Sequence, residues 1–253
     1  MSAVSRVSAE FVAAWRSFTR RRTAVFFTFF FPALLVLIFG ALVQTQPTGG
    51  GLFAEPAGYY VPGYLAVVVL FTPLSRVGSE VARHREGNRF EKLATTPLRR
   101  WEWLAGQMLV NVVIIGIAAL LLLGIILLTT GADIVLSPII IPFLAVGVAL
   151  FCGLGAILGS TAGSQDGVIA ASNGIALPLL FLSETFITPD LLPAWFRPVM
   201  DISPLTYFAR GVRAVTYAPV SGGSTAWIES FVILSVLAVV IFAVGAVLIP
   251  TTD

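Results

Sequence analysis

Few residues in this 253-residue chain are of a type that does chemistry, and their spacing excludes most reactions. A phosphate-cradling loop of the form G-x-x-x-x-G-K-[ST] needs a lysine that reaches the β- and γ-phosphates. The one lysine, Lys92, follows Glu91 and not a glycine, so no such nucleotide site is written here. The one histidine, His84, is expected in a loop, which leaves no base beside a serine at membrane depth and rules out a multi-histidine metal site. Asp133, Asp166, Asp190 and Asp201 fall in connections or at the ends of apolar runs, so the paired acids of an intramembrane aspartyl protease are missing. A single cysteine, Cys152, forbids an intramolecular disulfide and any cysteine-based metal cluster. The expectation is a chain with no catalytic residue, no metal and no cofactor of its own.

What remains is polar groups inside apolar runs, which are costly in a bilayer and therefore worth naming. Asn111, Ser172 and Asn173 are the deepest, and Glu184 stands near the end of its run. Asn111, Asn173 and Glu184 are candidates to line a substrate path; each is equally able to cap a helix or bond a neighbouring carbonyl. Gly153, Gly155 and Gly159 read G-x-G-x-x-x-G with no strand before them, so they are not a dinucleotide fingerprint. Gly155 and Gly159 fit the small-xxx-small spacing of closely packed membrane helices.

The elements that carry these groups follow from composition. Hydrophobic residues make up 57% of the chain and charged residues only 11%, and mean hydropathy is +0.95. An average soluble domain is roughly 45–50% apolar and about 25% charged, so a soluble fold and a disordered chain are both excluded. Six runs are long enough to cross a bilayer, near 24–43, 58–76, 104–129, 139–160, 167–186 and 228–249. They do not alternate as barrel strands would. Pro73 and Pro178 interrupt the second and fifth, which membrane helices tolerate. The expected fold is all-α: a polytopic membrane protein with six transmembrane helices over 24–253.

Charge sets the orientation. Twelve of the fifteen Lys and Arg fall in residues 1–23 and in or beside the 77–103 connection; three, Arg197, Arg210 and Arg213, fall in 187–227. Both termini are thus expected on the cytoplasmic side. Residues 1–23 place Val4, Val7, Phe11, Trp15 and Phe18 on one face of a helix, which lies in the membrane surface or packs against a partner. The 77–103 connection mixes bases with Glu80, Glu86, Glu91 and Glu102. That weakens a polybasic lipid-binding reading, and with Phe90, Leu93 and Ala94 at helical spacing it suggests a surface made for another protein. Arg83 to Pro97 is expected to form one short helix, ended by Pro97, with Phe90, Leu93 and Ala94 as an exposed apolar knob. Pro189, Pro193, Pro198 and Pro204 cut the 187–227 connection into short helical pieces that dip into the outer interface as re-entrant helices or lie on it, and the 187–207 stretch is expected to pack down over the outer mouth.

Two motifs now carry a resemblance. The run "REGNRFEKLATTPLRRWEWLAGQ" resembles the cytoplasmic loop of type-2 ATP-binding-cassette (ABC) exporter permeases, matching at Arg85, Glu86, Gly87, Glu91, Leu93, Thr96 and Pro97. Pro189, Pro193 and Trp195, followed by Pro204, Leu205, Thr206, Tyr207 and Arg213, resemble that family's outer segment, with Ser203 where it usually has Asn. The resemblance implies a coupling helix, with Phe90 beside the matched residues, docking on a separate nucleotide-binding ATPase subunit that holds ATP and Mg. It implies a second permease, identical or paralogous. It implies export of a drug, lipid, glycan or similar amphipath across a prokaryotic plasma membrane. Membrane lipids would be contacts; no nucleic-acid partner is expected. Two other classes stay open: an ion-coupled secondary transporter or channel, which would place ionisable groups at mid-membrane, and a non-transporting scaffold.

Overall fold

A computed structural model describes residues 2–38, 55–189, 192–217 and 225–250. Within them the chain is helical, with a single isolated bridge between Ile134 and Tyr217. Helix α1 (Ala3–Arg20) starts where the Ser2 side chain accepts the Ser5 N–H at 3.2 Å, the usual way of satisfying a free first-turn donor. Arg21 leaves helical geometry and separates it from α2 (Arg22–Val36). A 3-10 turn (Ala57–Tyr60) leads into α3 (Val61–Glu86). Then follow α4 (Arg89–Ala94), α5 (Arg100–Thr129), α6 (Ile140–Thr161) and α7 (Gln165–Phe181). The short α8 (Arg197–Met200) and α9 (Pro204–Thr216) precede α10 (Ala226–Leu248).

Four of these stretches are long and apolar enough to cross a membrane: Ala57–Glu86, Arg100–Thr129, Ile140–Thr161 and Trp227–Leu248. They account for the second, third, fourth and sixth of the expected runs. The first survives as α2, 15 residues long, and residues 39–43 of that run lie outside the described residues. The fifth is α7, 17 residues, or about 26 Å at ~1.5 Å per residue. The fold is thus that of a multi-pass helical membrane protein, with four span-length helices and the shorter apolar α2 among the described residues. Leu120, Leu128, Val239 and Val247 are each more than two-thirds exposed. Such faces are unfavourable in water and at home against lipid.

One boundary differs from the sequence reading. Nothing between Val77 and Glu86 breaks a helix, so α3 continues ten residues past its apolar part, and His84 is helical rather than in a loop. Hydropathy stops at the edge of the bilayer; backbone geometry does not.

Helix α3 is the centre of the molecule, with every residue from Val61 to Leu70 buried. Helix α6 crosses it through glycines. A Cβ on Gly155 would sit 2.6 Å from the Leu74 carbonyl oxygen, and one on Gly159 would run into that of Gly78. On α6's other side, a Cβ on Gly153 would sit 2.6 Å from Phe242 Cα of α10. The G-x-G-x-x-x-G run therefore serves two helix crossings, and Cys152 is fully buried between them. The N-terminal α1 lies along α5, with Ala14 and Phe18 against Val110 and Ile114.

Candidate functional site

The end of the molecule rich in arginine is built around an elbow. Helix α3 stops at Gly87 and Asn88, and Asn88 adopts φ 48°, a left-handed conformation asparagine tolerates better than most residues. The six-residue α4 follows, and the Thr95 and Thr96 hydroxyls donate to the carbonyls of Lys92 and Leu93 at 2.8 and 2.7 Å. Pro97 separates this turn from α5. The segment from Arg83 to Pro97 is therefore not one helix, as the spacing suggested, but a helix end, a reversal and a short helix.

Phe90 is buried at this elbow, its ring 5.2 Å from His84 and 5.5 Å from Trp103. It anchors α4 to α3 and α5, which corrects the reading of Phe90 as part of an exposed apolar knob. Glu91, Lys92, Ala94, Thr96 and Pro97 remain exposed and Leu93 half-buried. Two residues expected at a partner surface make internal bonds. Arg85 Nη1 donates to the carbonyls of Ser160 at 2.9 Å and Ala162 at 3.0 Å, and Glu86 accepts the Gln165 N–H at 2.8 Å. They tie the elbow to the α6–α7 turn. Gly87 sits at the reversal itself.

Buried carboxylates order the same end. Glu80 pairs with Arg83 and with Arg21 at 3.3 Å, and His84 Nδ1 lies 3.8 Å away. Glu102, with no exposed surface, accepts from Arg6 Nε at 2.8 Å and from the Arg99 N–H at 2.9 Å. Glu10 of α1 accepts from Gln107 Nε2 at 2.8 Å over Gly106, where any side chain would strike Glu10. Burial pushes the Glu10 carboxyl up to about 7.

Between α2, α3 and α7 lies a cavity of about 970 Å³. It runs along α3 from Tyr64 to Glu80, about 24 Å at ~1.5 Å per residue, which is most of a ~30 Å hydrocarbon core. Phe27, Phe31, Tyr64, Phe71, Phe181 and Phe186 line its length, and Arg21, Thr72, Ser75, Arg76 and Ser79 line its arginine-rich end. Of the pathway candidates, Asn173 lines it. Asn111 lies elsewhere, buried in α5 and donating to the Gln107 carbonyl at 2.8 Å. Glu184 lies at the far end in a cluster with α9. There it pairs with Arg210, which also reaches Asp201 at 2.8 Å.

In that cluster Arg213 is buried, donating to the carbonyls of Glu184 at 2.6 Å and Tyr59 at 3.2 Å, with its guanidinium 3.8 Å from the Tyr59 ring centre. Pro204 opens α9, and the Tyr207 hydroxyl donates to the Asp201 carbonyl at 2.9 Å. Leu205 is fully buried, but Trp195 is 77% exposed, so the expectation that the whole 187–207 stretch packs down holds for α9 and fails at Trp195. Pro193 beside it is exposed and Pro189 half-buried; residues 190–191 lie outside the described residues.

Sequence reasoning missed Arg6, Glu10, Arg76 and the buried roles of Glu80 and Glu102. Only Glu80 carried a signal, its spacing of three and four from Arg83 and His84.

Residues 7–217 match the family described as ABC-2 type transporter. A daunorubicin resistance ABC transporter permease protein, DrrB1, of Streptomyces coeruleorubidus is 25% identical over 195 residues, which cover 74% of this chain and 66% of that one. The chain thus matches just under two thirds of that relative's length.

Proposed function

The chain belongs to the ABC-2 type transporter family, and we propose that it is the membrane permease of an ATP-driven exporter, forming the path and converting the motion of a separate ATPase into movement of that path. The observation that carries this reading is the continuity of α3. One unbroken helix forms the cavity wall from Tyr64 to Glu80 and ends, six residues later, at the exposed elbow. A displacement of the elbow is a displacement of the cavity wall, because the helix runs on through Pro73, which removes one backbone bond but leaves the turns on either side to transmit load along the axis.

In this proposal α4 is the coupling element, presenting Leu93 with Glu91, Thr96 and Pro97 to the ATPase, while Arg85, Glu86, Gly87 and Phe90 hold it in place. ATP and Mg reside on that partner, where the phosphate chemistry is done. A second permease, identical or paralogous, completes the path. The arginine-rich end and both termini face the cytoplasm of a prokaryotic cell, in keeping with the distribution of Lys and Arg. Asn173 lines the path; the Glu184–Arg210–Arg213 cluster, with Pro189, Pro193, Trp195, Pro204 and Tyr207 around it, forms its outer gate. The name of the Streptomyces relative favours a drug or similar amphipath as cargo.

Leu93→Asp tests the coupling. An exposed ion pair is worth about 0–1 kcal/mol, so Glu91→Gln should do little, whereas an unpaired charge in an apolar contact should lower transport roughly tenfold or more. Leu93→Asp protein should reach the membrane in normal amount and lose both co-purification with its ATPase and substrate-stimulated hydrolysis. Unchanged transport in well-expressed Leu93→Asp protein overturns the assignment.

A further inference from the structure

The cavity is chemically divided along its length, and the division specifies a ligand. Its walls are aromatic from Phe186 down to Phe71, but its arginine-rich end holds two cations, Arg21 and Arg76, against one carboxylate, Glu80. Glu80 is already shared between Arg21 and Arg83. Arg76 is left without a counter-ion among the described residues. Its Nη1 is buried with no hydrogen-bond partner, its Nη2 reaches only the Ala14 carbonyl at 3.5 Å, and its guanidinium lies 5.1 Å from the Phe18 ring centre. A guanidinium offers five donors in a planar fork that suits a phosphate or carboxylate. A half-buried cation so sparsely bonded, on a residue that lines the cavity, attracts an anion.

We infer that this cavity takes an amphipath with an apolar body and a single anionic head, the body along the aromatic wall and the head at Arg76. The volume of about 970 Å³ suits a drug-sized or single-chain lipid-like molecule. The inference rests on the cavity being the transport path, and it adds the sign of the cargo's charge and the residue that reads it.

The test uses photoreactive dodecyl probes that differ only in their heads: phosphate, trimethylammonium and maltoside. Each is applied to membranes holding the full chain, and labelled segments are mapped by mass spectrometry. Dodecyl phosphate should label the cavity-facing parts of α2, α3 and α7 roughly tenfold more than dodecyl trimethylammonium, the range expected for a charge-assisted bond. Arg76→Gln should erase that preference while leaving dodecyl maltoside labelling intact, which shows the cavity is still formed; Arg76→Lys should keep most of it. A preference unchanged in Arg76→Gln, or a preference for trimethylammonium, overturns the inference. So does full competition by inorganic phosphate, which would mark a site for the small anion alone. If maltoside labels the cavity and no head is preferred, the charge assignment falls and the path stands. If none of the three labels it, both fall.

Discussion

Replacing Arg6 by Met should destabilise the protein more than replacing its partner. The Glu102 carboxylate has no exposed surface and is held by Arg6 and by the Arg99 N–H, while Arg6 itself is 16% exposed. Arg6→Met therefore leaves the carboxylate with one backbone donor, and removing one partner of such a pair costs more than removing both. Glu102→Gln leaves the arginine with a neutral acceptor, a smaller loss that comes from a weakened charge-assisted bond. The double change Arg6→Met with Glu102→Met removes both charges and should recover most of the loss, because a buried pair replaced by apolar groups is often close to neutral. The melting midpoint should therefore fall from wild type through Glu102→Gln to Arg6→Met, with the double variant above Arg6→Met. Thermal unfolding of the three purified variants, followed by light scattering and Trp emission, reads the order directly. A double variant less stable than Arg6→Met alone would refute the reasoning, since it would mean that the pair contributes net stability beyond the removal of an orphaned charge.

Two further outcomes follow from the same structure. The Glu10 carboxyl is raised from its ordinary range to about 7, so the folded state holds its proton more tightly than the unfolded one; α1 docking should be firmest below about pH 4.5 and weaken as pH rises through about 7, seen as increasing hydrogen exchange over 3–20 that Glu10→Gln flattens. Gly159→Val should cost about 1–3 kcal/mol by overpacking against α3, with a Cβ striking the Gly78 carbonyl and Val81, whereas Gly174→Val, whose Cβ would meet nothing within 4 Å, should leave the melting midpoint in place.

The helices were legible in the sequence because lipid demands long apolar runs, and the close approach of α6 to its neighbours was legible in Gly155 and Gly159. Helix ends were less so. Hydropathy marks where the chain meets water, and Val77–Glu86 keeps its helix beyond that line because it contains neither Pro nor a run of turn formers. Phe90 was misjudged for a related reason: helical spacing tells which residues share a face, not which neighbour covers the face, and the covering rings of His84 and Trp103 come from two other helices. The pairs Arg6–Glu102 and Arg76–Phe18 join residues 96 and 58 positions apart, and nothing local in the sequence announces them.

These packing facts also decide which wall of the cavity can yield. Helices α3 and α6 cross glycine to backbone, with 2.6 Å from a Cβ on Gly155 to Leu74 and comparable closeness at Gly159, and Arg85 bonds the end of α3 to the end of α6. Such surfaces cannot slide without clash, so the two helices move as one body. Helix α9 adds to that body, since Phe208 lies against Gly147 of α6. Helix α2 is held differently. Its buried residues are Pro32 and Val36, while Phe26, Phe27, Phe30 and Phe31 lie exposed along it. Arg21 tethers its start to Glu80 of α3 at 3.3 Å, an exposed arginine on a buried carboxylate. A wall held by a few side chains and one ion pair gives before a wall held by backbone contact. Widening of the cavity should therefore come from displacement of α2 against a rigid α3–α6 unit, with the Arg21–Glu80 pair as the contact that must stretch first.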